Sequence, residues 1–240
     1  MRKKNAFTGL SKLTIVAPSV WMKSIVGKSF LAEYPICVIG NGVDTSTFRP
    51  LDKGNVFQDK YEIEDKFIIL GVAYQWTESK GFNEFLRLAK VLPSEFKVVL
   101  IGVSEVQLQS LPKEVLGIPK VGNALELANL YSAADVFVNL TLDDNLPTVN
   151  LEAIACGTPV ITYDTGGCAE TIDSGSGIVV PAGNFDRLLD AISLVRQLGK
   201  RYFSINCRKR ACEIFSEDIM TTAYTELYLS FSGDKLNRIC

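Results

Sequence analysis

Apolar runs of strand length alternate with amphipathic stretches along most of the chain. Phe67–Ala73 (FIILGVA), Phe96–Gly102 (FKVVLIG), Val136–Leu140 and Pro159–Tyr163 are apolar segments rich in β-branched and aromatic residues, as buried strands are. Val115–Val121 and Gly177–Val180 are weaker runs of the same kind. Between them the apolar positions take a helical period. Lys80–Leu92 puts Phe82, Phe85, Leu86, Ala89 and Leu92 near one face, and Asp186–Leu198 does the same with Leu188, Leu189, Ile192 and Val195. Leu125–Ala133 and Pro147–Cys156 read as further helices, and the last third of the chain reads as helical through Tyr228. Near the start, the spacing predicts a strand at Leu13–Ala17, then a helix capped by Ser19 with Trp21, Ile25 and Phe30 facing one way. Tyr34-Pro35 ends that helix, Ile36–Ile39 is a second strand, and Leu51–Lys66 is a polar loop with a short helical piece.

This order of elements indicates βαβ units and an α/β fold: a Rossmann-like, doubly wound parallel sheet flanked by helices. Right-handed crossovers bring the loops after the strands to one edge, where ligands bind. The residues to watch therefore follow Ala73, Gly102, Val121, Leu140 and Tyr163.

Composition narrows the function. The 240 residues are 47% hydrophobic and 22% charged, with a net charge of −2, so no overall basic character points to nucleic acid or to an anionic membrane. The chain has no histidine, which excludes Ser-His and Cys-His nucleophiles built from this chain and leaves proton transfer to Asp, Glu, Lys, Tyr, the substrate or a group from another chain. Six cysteines, at 37, 156, 168, 207, 212 and 240, form no C-x-x-C pair. They read as free thiols of a cytoplasmic protein. No apolar run reaches membrane-span length and no signal-peptide core follows the basic start.

Two places carry candidate chemistry. Lys80 is expected to open a helix at the ligand edge, where an ammonium beside free backbone N–H groups suits a phosphate. A solvated surface lysine is the plain alternative. The second place is Asp144–Glu152 (DNLPTVNLE). Pro147 suits the first turn of a helix, Asn145 is a candidate cap, and Thr148 and Glu152 share a face. The amides of Thr148 and Val149 can then receive a phosphate. Glu152 can accept from a ribose diol, and Asp144 from sugar hydroxyls. Spacing alone leaves each acid equally readable as a surface carboxylate. Gly166-Gly167 and Glu170 form a second loop at the same edge, where the glycines either admit the ligand or make a plain turn.

These residues resemble glycosyltransferase family 4, enzymes of the two-domain GT-B fold. The matching stretches are Ala17-Pro18-Ser19, Asn41–Asp44 with Phe48-Arg49-Pro50, Lys80-Gly81, Leu130–Asp135, and Asp144–Glu152 running on through Gly157-Thr158-Pro159 to Gly166-Gly167. The resemblance implies a nucleoside-diphosphate-sugar donor site with Lys80 on the diphosphate. It also implies a carboxylate, seven residues and a glutamate, here Asp144 and Glu152. Asp144 stands where glutamate is more usual, and no arginine occurs near Gln75 or Trp76 where the family often has one. Lys80 and Asp144 are the implied catalytic residues. Gln75, Val103, Val121, Leu127, Asn145, Leu146, Pro147, Thr148, Val149 and Glu152 complete the implied donor set, with Val103, Val121 and Leu127 near the base and ribose.

The resemblance further implies a retaining, metal-independent hexosyltransferase without cofactor, working on a glycan or lipid-linked acceptor in polysaccharide or glycoconjugate synthesis. Residues 1–46 would be the remnant of an N-terminal acceptor domain with its linker, and 47–240 the donor domain with C-terminal helices. The glycine-rich loop of the family's N-terminal domain has no counterpart here. Peripheral association with the inner face of the membrane would run through that missing domain. The alternatives are a truncated, inactive module that only binds a nucleotide sugar, and a sugar-nucleotide epimerase. The Asp144–Glu152 segment counts against the epimerase, and the lack of a G-x-G-x-x-G after any strand counts against a nicotinamide dehydrogenase.

Overall fold

The computed structural model describes residues 2–51, 60, 61, 63 and 65–232. Most of the expected Leu51–Lys66 loop, and Cys240, lie outside them. After helix α1 (Arg2–Phe7), strand β1 (Ile15–Ala17), helix α2 (Val20–Val26) and strand β2 (Ile36–Val38), the chain builds four βα steps and a fifth strand. These are β3 (Phe67–Val72), α3 (Phe82–Val91), β4 (Phe96–Ile101), α4 (Glu105–Ser110), β5 (Val115–Ile118), α5 (Ala124–Ala133), β6 (Val136–Asn139), α6 (Thr148–Ala155) and β7 (Val160–Tyr163). Strand β8 (Gly177–Val180) and helices α7 (Phe185–Leu198), α8 (Lys200–Ile214) and α9 (Glu217–Ser232) complete it.

The six strands β3–β8 pair in the order β5-β4-β3-β6-β7-β8, all parallel. The order reverses between β3 and β6, and such a reversal opens a crevice at the carboxyl ends of the strands. The apolar runs are buried on both faces: Ile68, Ile69, Leu70, Val99, Leu100, Val136, Val160 and Ile161 are all sealed in one core with Phe85, Leu88, Leu151, Ile154, Leu188 and Ile192. Burial on both faces explains why these strands read as continuous apolar runs rather than alternating ones.

β1 and β2 form a separate two-stranded parallel sheet. The returning helix α9 covers it, with Met220, Ala223, Tyr224 and Leu227 against Val16, Cys37 and Ile39. Val43 pairs with Ser216 between α8 and α9, so the connecting segment is stitched into the C-terminal helices. Arg208 on α8 clamps the same segment, donating to the carbonyls of Thr45 and Phe48 and to that of Ala155.

Three local expectations change. Ser19 does cap α2, its Oγ accepting from the Met22 N–H at 3.0 Å. However, the helix ends at Gly27, so Phe30 falls beyond it and Ile25 stays exposed. The stretch from Lys80 is not one helix: Glu78–Lys80 is a single 3₁₀ turn, and Gly81 at φ 79° separates it from α3. A Cβ on Gly81 would sit 2.5 Å from that of Leu140, so only glycine allows this left-handed break against the β6 loop. Among the cysteines, 156, 168, 207 and 212 are free thiols, but Cys37 is disulfide-bonded, which no spacing in the sequence signals.

Candidate functional site

Two adjoining cavities, about 590 Å³ and 740 Å³, open at the switch point and share Val72, Ala73, Tyr74 and Gln75 as a common wall. The first lies between the ends of β3 and β6. Lys80, Asp144, Asn145, Leu146, Pro147, Thr148 and Val149 line it. The second lies over β4 and β5, where Val103, Val121 and Leu127 give an apolar wall. All the residues of the implied donor set except Glu152 therefore fall on one continuous cleft.

Lys80 reaches this cleft from the 3₁₀ turn. Its Nζ donates to Asp144 Oδ2 at 3.0 Å and to Thr141 Oγ1 at 3.2 Å. The turn itself is tied to the β6 loop, since the Leu142 N–H donates to the Ser79 carbonyl at 2.8 Å. The backbone amides expected beside Lys80 are spent: the N–H groups of Lys80 and Phe82 both go to the Thr77 carbonyl, and that of Gly81 goes to Glu78. Lys80 closes a turn and does not open a helix, so its ammonium is what this loop presents.

The helix start that does face the cleft is that of α6. Pro147 occupies the cap position with extended backbone and no side-chain cap, so Asn145 is not the cap. It stays exposed on the cleft wall instead. The first N–H groups of a helix have no partner within it, and those of α6 belong to Thr148 and Val149 on the cavity wall. An anion placed there meets those amides and the positive end of the helix.

A buried polar chain fixes α6. Asn139 at the end of β6 accepts from the Thr141 N–H and donates through Nδ2 to Asn150 Oδ1 at 2.9 Å. Asn150 donates onward to Thr171 Oγ1, which donates to the Cys168 carbonyl. Asn139 also lines the first cavity. Sequence reasoning missed this chain, although an asparagine ending an apolar strand and another inside an apolar helix was the available signal.

Gly166 and Gly167 approach the protein and not the ligand. A Cβ on either would lie 1.9 Å from the carbonyl oxygen of Asp144 or Asn145. The Gly167 N–H donates to the Asp144 carbonyl at 3.0 Å. The two glycines thus form a socket for the main chain of the acidic loop. Glu170 is likewise structural, its carboxylate accepting the N–H groups of Val20 and Trp21 at 2.8 and 2.7 Å. From the N-terminal segment, Pro18 and Asn41 reach the first cavity, and Asn41 Nδ2 donates to the Leu146 carbonyl at 2.8 Å.

Glu152 lies one turn deeper than the others. It lines neither cavity, and its Oε2 accepts from Tyr131 Oη at 2.9 Å. Burial pushes the carboxyl up to about 7, against the lowering effect of the Tyr131 hydrogen bond. Desolvation first, and then the Glu152 charge, drive the Tyr131 phenol well above its usual value. Among the described residues no group of three or more His, Cys, Asp or Glu is placed to hold a metal ion. No helix among them is long and apolar enough to cross a membrane.

An open parallel sheet with a cleft at its switch point, a lysine on one lip and a free helix start on the other, defines a Rossmann-like half of the GT-B type. The model of the family described as "Glycosyl transferases group 1" matches residues 54–210, and the chain belongs to that family. A Campylobacter jejuni relative, N,N'-diacetylbacillosaminyl-diphospho-undecaprenol alpha-1,3-N-acetylgalactosaminyltransferase, is 28% identical over 82% of this chain and 55% of its own. A Rickettsia africae glycosyltransferase structure superposes with TM-score 0.84 at 20% identity, covering 98% of this chain and 68% of that one. Anabaena HepE in complex with UDP-glucose gives 0.77 at 19% identity, covering 90% of this chain and 64% of the other. At those identities the two structures establish the fold. The chain spans about half the length of the curated relatives it matches.

Proposed function

We propose that this chain is the donor half of a hexosyltransferase-type glycosyltransferase, acting on a nucleoside-diphosphate sugar with retention and without a metal ion. Its role would lie in polysaccharide or glycoconjugate synthesis. The carrying observation is the Lys80 ammonium and the α6 amides converging on one cavity, with an apolar cavity next to it. The diphosphate fits the first cavity and the base the second, walled by Val103, Val121 and Leu127. The HepE complex with UDP-glucose supports a uridine nucleotide as the first donor to try. The Campylobacter relative's name supports a lipid-diphosphate-linked acceptor, which agrees with work at the cytoplasmic face of a membrane.

In this reading the bond between the anomeric carbon and the diphosphate oxygen breaks as the acceptor hydroxyl oxygen bonds that carbon. Lys80 and the amides of Thr148 and Val149 stabilise the charge growing on the diphosphate. The acceptor proton leaves with the diphosphate. Asp144 holds the sugar hydroxyls, and Glu152, half-buried one turn behind the cavity wall, takes the ribose diol once a donor draws it forward. Thermal-shift titration with nucleoside diphosphates and their sugars tests the site. Stabilisation that Lys80→Ala reduces at least about tenfold in affinity, the loss of a charge-assisted contact, supports it. Equal binding by the variant sinks the assignment of Lys80.

A second reading is a module that binds the donor but does not transfer. Sugar transfer assayed with this chain alone and with a relative's N-terminal half added separates the two.

A further inference from the structure

The opposite edge of the sheet, at the amino ends of β3, β4 and β5, carries a third cavity of about 510 Å³ that the donor reading does not use. Four lysines line it: Lys66 before β3, Lys90 in the last turn of α3, Lys97 in β4 and Lys113 before β5. Glu114 is the one lining carboxylate. Glu95, in the adjacent turn, is paired with Arg196 at 3.1 Å, so those two charges offset each other. In a chain of net charge −2, this is a local reversal of sign.

We propose that this cavity is a binding site for a phosphate-bearing anion, separate from the donor cleft. Lys66 and Lys97 are half-buried, and each spends one donor on a carbonyl: Lys66 Nζ on Ser94 at 2.8 Å, Lys97 Nζ on Lys113 at 3.0 Å. An ammonium carries three donors, so each keeps two for a ligand. The carbonyl bonds also hold the two ammoniums at the cavity wall, which lowers the ordering cost of binding. Lys90 and Lys113 are exposed and free to swing over whatever enters. Ala89, Leu92, Phe96 and Val98 form the apolar part of the lining and keep the site from being a mere open surface. Desolvation pushes the Lys97 ammonium down; Glu114 works the other way, and the nearby Lys66 adds a smaller repulsion. A bound dianion relieves that repulsion.

The same chemistry is met by a soluble polyphosphate and by the headgroups of an anionic bilayer, and two arms of one experiment distinguish them. The Lys80→Ala protein, with its donor site weakened, is titrated with inorganic pyrophosphate by calorimetry. It is also floated with phosphatidylcholine vesicles containing phosphatidylglycerol. Binding in the first arm alone identifies a soluble phosphate ligand, and binding in the vesicle arm alone identifies lipid. In either case affinity should fall at least about tenfold on adding Lys66→Gln with Lys97→Gln, and fall with rising salt. Lys90→Gln with Lys113→Gln, at exposed positions, repeats the test should the first pair unfold, and the expected loss is about threefold to tenfold. No binding in either arm, or binding that both pairs leave within twofold of the parent, overturns the proposal.

Discussion

Lys80 and Asp144, 64 residues apart in sequence, meet as an ion pair at 3.0 Å on the wall of the first cavity. The aspartate in place of the more usual glutamate is thus not merely a shorter arm. It engages the lysine proposed to hold the diphosphate, so in that reading a diphosphate has to compete with it for the ammonium.

Asp144→Asn removes that competition while keeping the shape. UDP is expected to bind about threefold to tenfold more tightly, the scale of a partly exposed ion pair. Sugar transfer, assayed with an N-terminal half supplied, should fall because the sugar loses its strongest acceptor. Calorimetry with UDP beside a transfer assay reads both effects, and weaker UDP binding would contradict the displacement.

Glu152 makes stability and binding depend on pH in opposite directions. Its folded value, about 7, lies above the ordinary carboxylate value of 4.5. The folded protein then holds more protons than the unfolded one between those values. This contribution to stability is full below pH 4.5 and is lost as pH rises through 7, by about 3 kcal/mol at most. Glu152→Gln should flatten that decline in chemical-denaturation curves measured from pH 5 to 8. A ribose diol donating to Glu152 favours the ionised form, so UDP affinity should rise over the same interval in the parent and not in the variant.

Gly166 and Gly183 both have positive φ, 55° and 72°, but differ in their surroundings. Nothing lies within 4 Å of a Cβ added to Gly183, so Gly183→Ala should cost only the left-handed penalty of about 1–2 kcal/mol. Gly166→Ala adds a collision with the Asp144 carbonyl and should cost more while moving the acidic loop. Denaturation midpoints and UDP titration on both variants check this. Equal losses of stability with intact binding would count against the socket.

Asn150→Leu cuts the buried chain from Asn139 to Thr171. Leaving the Asn139 amide and the Thr171 hydroxyl with lost partners should cost about 2–3 kcal/mol. If the chain positions α6, UDP affinity should also drop, although Asn150 itself does not line the cleft. A stability loss with unchanged affinity would confine the chain to a packing role.

The sheet was legible because its inner strands are largely buried on both faces, so β3, β4 and β6 stand out as unbroken apolar runs. The cleft residues followed from their place after those strands. What escaped was set by tertiary contact. The break at Gly81 depends on Leu140, and the cap of α6 was misplaced because Pro147 takes that position without a side-chain bond. The Tyr131–Glu152 hydrogen bond joins neighbouring helices, α5 and α6, through side chains whose sequence spacing carries no helical period. The function of Gly166-Gly167 was ambiguous for the same reason, since a glycine pair does not say which surface comes close.

The socket for the acidic loop also bears on how such a site can change over generations. Gly166 and Gly167 grip the carbonyls of Asp144 and Asn145, while the side chains at those two positions sit on the cavity wall. The mount is indifferent to what it displays. New side chains can therefore be tried at 144 and 145 with little effect on folding, which makes these positions an economical place for donor preference to drift or to be redesigned.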